Sequence, residues 1–142
     1  MEVIENLPWD RGPLDPGPID REYFKSAAQG KLIIQKCGSC GHTQFPPKAL
    51  CVSCGNVPDW IETSGKGKVY TFTIVRRHGV EPFSSLAPFV LAMIDIPEGA
   101  RFMGNVTDAD IDSFHVGLDV EAYALRINEE LALPLWRPAE IN

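Results

Sequence analysis

Four cysteines in two close pairs are the residues best suited to chemistry in this 142-residue chain. Cys37 and Cys40 form the first pair, and Cys51 and Cys54 form the second, with ten residues between the pairs. Two such pairs can supply four sulfurs to one tetrahedral zinc ion, which leaves no coordination position for a substrate. The spacing therefore predicts one structural Zn²⁺ rather than a reaction centre.

Other interpretations of the four cysteines start from the same spacing. Two disulfides would need an oxidising compartment, and a rubredoxin-like iron site uses the same thiolate ligands. A redox-active cysteine pair would need a thioredoxin-like setting, of which the sequence shows no sign. The chain starts with no export signal and holds no apolar run long enough to cross a bilayer, so we predict a cytoplasmic protein and zinc. With the metal shell complete, His42, His78 and His115 are expected to be structural or solvent-facing.

A helix and a short strand are predicted to lead into the first cysteine pair. Residues 20–29 carry apolar side chains at helical spacing, with Asp20 as a suitable N-cap. Tyr23 and Phe24 are expected to be buried anchors, because so short a helix needs packing to persist. A strand is predicted over residues 32–34.

The first 18 residues hold four prolines and two glycines. Such a segment is predicted to form an extended arm, without helix or central strand. Because it carries Leu7 and Trp9, we expect it to lie on the protein's own core or on a partner.

After the second cysteine pair, the pattern changes to runs of β-branched and aromatic residues, which is typical of strands. Five strands are predicted, the last as a short edge strand, over residues 69–76, 89–96, 101–107, 119–127 and 134–137. The break at 108–117 resembles that of an OB-fold, a small Greek-key barrel, with a plain sandwich as the alternative. The predicted fold is therefore mainly β: an arm (1–19), a helix plus zinc ribbon (20–62) and a five-stranded OB-fold barrel (63–142).

Charge is distributed unevenly along the chain. The net charge is −4 over residues 1–22, +6 over residues 23–78 and −8 over residues 79–142. The basic middle could attract a phosphate-bearing ligand, whereas the acidic C-terminal half argues against wrapping a long nucleic acid.

Several short motifs together resemble a known family, over roughly residues 20–138. In chain order they are Phe24, Leu32, Gln35-Lys36-Cys37, Phe45-Pro46-Pro47, Cys51 to Gly55, Ser64-Gly65-Lys66-Gly67, Val69-Tyr70-Thr71-Phe72-Thr73, Pro88-Phe89-Val90, Gly117 and Val120. The chain resembles small bacterial and archaeal proteins that join a rubredoxin-like zinc ribbon to an acyl-CoA-associated OB-fold. Val52 departs from the pattern, since the family often has proline there.

The resemblance implies a function that the residues alone do not. Members of this family assemble with thiolase-fold acyltransferases, thiolases or aldolases, and the partner's own residues carry out the chemistry. The chain is therefore expected to be a non-catalytic subunit of a hetero-oligomer that supports the partner's acyl-CoA site. Phe45, Pro46 and Pro47 are expected to form a docking surface between the cysteine pairs.

A long loop between the first two predicted barrel strands is the candidate acyl-CoA contact, because long ordered loops are often functional. The alternative is a mobile surface loop without such a role. Arg76 and Arg77 could reach the CoA phosphates, and Phe83 could cover the acyl group bound jointly with the partner. The competing function is a nucleic-acid-binding OB-fold protein, which needs exposed aromatic residues and a sustained basic groove. Rubredoxin-like electron transfer is a third possibility, to be decided by the metal.

Overall fold

Short strands make up most of the secondary structure in the computed structural model, which describes residues 1–5, 11 and 14–140. In chain order the elements are β1 (Val3–Ile4), α1 (Pro18–Ala28), β2 (Ile33–Lys36), β3 (Thr43–Gln44), β4 (Asp59–Glu62), β5 (Lys66–Val75), α2 (Phe83–Leu86), β6 (Phe89–Asp95), β7 (Arg101–Val106), a 3-10 turn (Ile111–Ser113), β8 (Asp119–Arg126) and β9 (Ala132–Pro138).

The last five strands close into the predicted OB-fold barrel. β5, β6 and β7 form an antiparallel meander, and β9 joins β7 in parallel where Val106 pairs with Trp136. β9 then pairs antiparallel with β8, which returns to β5 through Lys66–Lys68. The prediction of a short edge strand at 134–137 was wrong, because β9 has seven residues and lies between two neighbours.

The barrel interior is filled by alternate residues of each strand, as the two-residue period of a strand requires. Along β6, buried Val90, Ala92 and Ile94 alternate with partly exposed neighbours. A Cβ at Gly104 would lie 2.9 Å from Cδ1 of the buried Trp136 ring, so this position needs glycine. The interior is therefore closely packed around Trp136.

Helix α1 starts two residues earlier than predicted. Asp20 is not its N-cap, because Gly17 occupies that position and Pro18 begins the first turn, where a proline's fixed φ suits the helix. Tyr23 is buried, and the partly buried Phe24 packs on the same core, as predicted. Gly30, with φ of 80°, follows the helix end.

The start of the chain lies on its own core, which agrees with one of the two placements predicted for the arm. Val3–Ile4 adds a short parallel strand to β8, and Met1 and Val3 pack against buried alanines of α1, β8 and β9. Leu7 and Trp9 lie outside the described residues. The division of the chain at residues 19 and 62 stays a prediction.

Candidate metal centre and the surfaces around it

Each cysteine pair lies in a tight turn stabilised by the same two backbone bonds. In the first turn, the Cys37 N–H donates to the His42 carbonyl, and the Gly41 N–H donates to the Cys37 carbonyl, both at 2.8 Å. The second turn repeats these bonds through Cys51, Gly55 and Asn56, at 2.7 and 2.9 Å. Gly41 and Gly55 have φ of 78° and 81°, values that favour glycine.

The two turns bring all four predicted sulfurs together. The Sγ atoms of Cys37 and Cys54 are 3.4 Å apart, those of Cys40 and Cys51 are 3.6 Å apart, and all four lie within 4.8 Å of one another. A tetrahedral site with metal–sulfur bonds of about 2.3 Å has sulfur–sulfur edges of about 3.8 Å. The cluster therefore has the size and the donor set that fit a structural zinc ion.

Backbone N–H groups near the sulfurs favour the thiolate form that a metal needs. The N–H groups of Cys40 and Ser39 lower the pKa of the Cys37 thiol to about 6. Burial works to raise the pKa of Cys51, but the N–H groups of Cys54 and Ser53 hold it below its ordinary value. Charge stabilisation at Cys37 and Cys51 thus comes from the same turns that set the geometry of the cluster. At Cys40 the His42 N–H also acts to lower the pKa, but burial and the neighbouring cysteines raise it to about 11.

Two buried glutamines tie the segment between the cysteine pairs to the small antiparallel sheet that β2 forms with β3 and β4. Gln44 Nε2 donates to Gln35 Oε1 at 2.8 Å and to the Leu50 carbonyl at 3.2 Å, and Gln44 Oε1 accepts from the Val52 N–H at 2.9 Å. Gln35 binds both backbone groups of Lys48, at 2.8 and 2.9 Å. This role was not predictable from the sequence, where the only local signal is a glutamine in each of two short strands.

Replacing Gln44 with leucine is expected to loosen the second cysteine turn. The substitution leaves the Val52 N–H and the Leu50 carbonyl without their partner, at a cost of about 1–3 kcal/mol. We expect faster loss of zinc to a chelator, measured with a colorimetric zinc indicator. The control is Gln29→Leu at an exposed position that follows α1. Equal zinc-release rates in the two variants would show that the network does not support the site.

The ribbon packs onto the barrel through aromatic rings. The Phe45 ring centroid lies 4.1 Å from that of Phe102 on β7 and 5.2 Å from that of Tyr23 on α1. Burial raises the pKa of the Tyr23 hydroxyl. Phe45 therefore does not belong to an outward docking surface, because its ring packs against Phe102 and Tyr23. Of the two prolines that follow it, Pro46 is exposed and Pro47 is partly buried.

The three residues predicted for acyl-CoA contact share one loop but not one pocket. Arg76 and Arg77 are exposed directly after β5. Phe83, in α2, lines a cavity of about 220 Å³ whose opposite wall includes Val106 and Ile111, and neither arginine lines it. That opposite wall, which comes from the end of β7 and the 3-10 turn, has no local signal in the loop sequence.

The residues of the loop itself are held in place by short contacts. Glu81 accepts hydrogen bonds from the Ser84 and Ser85 hydroxyls, which lower the pKa of its carboxyl group. The Phe83 ring contacts the His78 ring, with centroids 5.2 Å apart.

All three histidines of the chain, His42, His78 and His115, are exposed.

The outer face of β5, β6 and β7 is largely apolar. Thr71 pairs with Met93, which pairs with Met103, so these three side chains form one row across the sheet. In the neighbouring row of the sheet, Arg101 stacks on the Tyr70 ring, 3.6 Å from the centroid, and forms an ion pair with Asp95. The face therefore offers little free positive charge.

None of the helices among the described residues has both the length and the apolarity needed to cross a membrane.

The ribbon and the barrel each match a known protein family. Residues 24–57 match the family described as the ChsH2 rubredoxin-like zinc ribbon domain. Residues 60–125 match the ChsH2 C-terminal OB-fold domain. The four cysteines lie inside the first match, and four of the five barrel strands lie almost entirely inside the second.

Individual relatives agree with these matches. The chain is 39% identical to a DUF35 domain-containing scaffold protein of Methanocaldococcus jannaschii, over 70% of this chain and 71% of that one. It is 36% identical to a probable enoyl-CoA hydratase alpha subunit of Thermomonospora curvata, over 89% of this chain but only 40% of that subunit. A solved structure entitled Ltp2-ChsH2(DUF35) aldolase superposes with a TM-score of 0.76 and 30% identity, covering 89% of this chain and 98% of that one. The chain thus belongs to the DUF35 family, in which a rubredoxin-like zinc ribbon precedes an OB-fold domain.

Proposed function

We propose that this chain is a non-catalytic accessory subunit of a thiolase-type acyl-CoA enzyme. The observation that carries the proposal is the structural similarity to the Ltp2-ChsH2(DUF35) aldolase, which extends over both the ribbon and the barrel. The scaffold protein of M. jannaschii supports the same kind of role. The chain would act by assembling with its partner and supporting the partner's acyl-CoA site.

The metal in this proposal is one structural Zn²⁺ bound by Cys37, Cys40, Cys51 and Cys54. Four thiolates at these distances complete a tetrahedral shell. The ion supplies folding energy to the ribbon, whose two turns and glutamine network hold the sulfurs. Catalysis is left to the partner.

The remaining side chains of the described residues support a non-catalytic role. A nucleophile needs a base within hydrogen-bonding distance. All four cysteines lie in the metal cluster, and Nδ1 of His115 contacts the Ser113 carbonyl rather than a hydroxyl or thiol. His78 Nδ1 accepts from the Val80 N–H. Within the described part of the chain, neither histidine is paired with a nucleophile.

The loop that follows β5 is the part of the chain that we propose meets the acyl-CoA. The exposed Arg76 and Arg77 side chains would contact the CoA phosphates, and Phe83 would cover the acyl group. The cavity beside Phe83 supports this role, because apolar side chains line most of it.

Replacing both arginines with alanine is expected to weaken use of acyl-CoA by the complex. Loss of two positive charges near the phosphates should raise the KM for acyl-CoA roughly tenfold, about 1.4 kcal/mol, with little change in kcat. Steady-state kinetics of the reconstituted complex would measure this. The matched control replaces the exposed Lys25 and Lys31. An unchanged KM in the arginine variant would contradict the role of the loop.

Co-purification from the native host tests the proposed function as a whole. We expect an affinity-tagged chain to recover a thiolase-fold protein, and we expect that protein to turn over acyl-CoA faster with the chain than without it. Recovery of the chain alone as a monomer would contradict the proposal.

Nucleic-acid binding is less consistent with the surface of the barrel. A single-strand-binding OB-fold needs stacked aromatic residues beside a basic groove. Here the exposed Tyr70 ring is covered by Arg101, whose charge is paired with Asp95. Tight, salt-sensitive binding in a titration with single-stranded DNA would reverse this preference.

A further inference from the structure

The second half of β5 has a backbone edge without a neighbouring strand in the described structure. Residues 66–68 pair with β8 on one side, and the Val69 N–H and carbonyl bond to Leu118 and Gly117 on that side. From Thr71 to Val75, β5 pairs with β6 only. The described backbone forms no bond on the other side of these five residues.

The reason for this open edge lies in the paths of β5 and β8. The pairing of β5 shifts between Val69 and Thr71, and such an irregularity bends a strand and increases its twist. β8 begins at Asp119, opposite Lys68, and because it is antiparallel to β5 it runs from there toward Glu121 opposite Lys66, away from residues 71–75. The segment just before β8 bonds to β5 only as far as Val69, through Gly117 and Leu118. Alternate residues of an antiparallel strand direct N–H and C=O groups to opposite edges. The open edge therefore presents backbone donors and acceptors.

The edge lacks the features that usually protect a sheet from pairing. Natural proteins place lysine, proline or inward charges on exposed edges. Residues 69–75 contain no charged residue and no proline, and five of the seven are valine, isoleucine or threonine. This composition favours addition of another strand.

An apolar groove lies beside the open edge on the outer face of the barrel. Thr71, Thr73, Leu91, Met93 and Met103 line a space of about 220 Å³. Met103 is 65% exposed and the neighbouring Tyr70 is 52% exposed. A strand added to β5 could direct alternate side chains toward this groove, which would give the contact side-chain specificity.

We propose that the open edge of β5, residues 71–75, receives an extended segment of the partner enzyme as an additional β-strand. This inference rests on the proposed function, because it names the contact through which the accessory subunit holds its partner. The edge leads directly into the loop that starts with Arg76 and Arg77, so strand pairing would bring the partner against the proposed acyl-CoA contact.

Charge indicates the chemistry of the added segment. The edge and its groove are uncharged, which fits an uncharged segment rich in β-branched residues. A second copy of this chain is the other possible occupant, but two copies with a net charge of −6 each would repel one another. The charge balance therefore favours a different protein.

Amide hydrogen exchange of the complex with the co-purified thiolase-fold protein tests the inference. On complex formation, the amides between residues 71 and 75 that face the open edge are expected to exchange about tenfold more slowly, because they become hydrogen-bonded. Complex formation with unchanged exchange at 71–75 would overturn the added strand and leave the proposed function intact. Failure of any thiolase-fold protein to bind would overturn the proposed function, and the inference with it.

A lysine introduced at the open edge of β5 provides a second test of the added strand. Thr73→Lys is expected to weaken the complex roughly tenfold in a binding titration, because lysine guards strand edges. Val116→Lys, at a loop position that is 61% exposed, is the control. Equal affinities of the two variants would overturn the inference. The inference would also be overturned if the chain alone showed slower amide exchange at 71–75 that became more pronounced at higher concentration, together with dimer formation.

Discussion

A Cys37→Ser variant is expected to lose its metal and the fold of its ribbon. Cys37 is almost completely buried, and its sulfur lies 3.4 Å from that of Cys54. Serine shortens the ligand and replaces a soft thiolate by a hydroxyl that remains protonated at neutral pH. Structural zinc supplies on the order of 10 kcal/mol of apparent folding free energy to small zinc-binding peptides. Metal analysis and thermal unfolding of the purified chain would measure both effects.

The neighbouring serine provides a matched control for this substitution. Ser39 lies in the same turn and is exposed, and the group it presents to the Cys37 sulfur is its backbone N–H. Ser39→Ala is therefore expected to keep one zinc ion per chain and an unchanged melting temperature. A Cys37→Ser variant with full metal content would contradict the four-cysteine site. A red-brown protein containing iron would replace zinc by the rubredoxin-type alternative.

The sequence predicted best what depends on short-range spacing. Each cysteine pair spans four residues and lies in a turn closed by its own backbone, so its geometry is set locally. The strands of the barrel were predicted from local runs of β-branched, aromatic and other apolar residues, and observed β6, Phe89–Asp95, differs from the prediction by one residue. The order of ribbon before barrel followed from the position of the cysteine pairs before the strand-rich segment.

Features that depend on distant partners were not predictable in the same way. The Phe45 ring points inward because Phe102, more than fifty residues later, lies 4.1 Å away. The last strand is not an edge because β7 and β8 flank it. The open side of β5 results from the position at which β8 begins, opposite Lys68. None of these neighbours can be read from the local pattern of the residues concerned.

A Phe102→Ala variant is expected to destabilise the whole protein by about 3–5 kcal/mol, the usual cost of removing a buried phenylalanine ring. Phe102 is 1% exposed. Its ring centroid lies 4.1 Å from that of Phe45, 6.4 Å from that of Tyr23 and 5.7 Å from that of Trp136. These partners belong to the ribbon, helix α1 and the barrel, so one cavity would weaken all three. Urea unfolding followed by tryptophan fluorescence would measure the change.

The next residue on the same strand separates this packing effect from a general effect on β7. Met103 faces outward and is 65% exposed, so Met103→Ala should change the free energy of unfolding by no more than about 0.5 kcal/mol. If the shared aromatic cluster couples the ribbon to the barrel, Phe102→Ala should also speed zinc loss to a chelator, although no cysteine is changed. Met103→Ala should not. A Phe102→Ala variant with a lower urea midpoint but an unchanged zinc-release rate would show that the ribbon folds independently of the barrel, because the metal site would then not depend on the cluster.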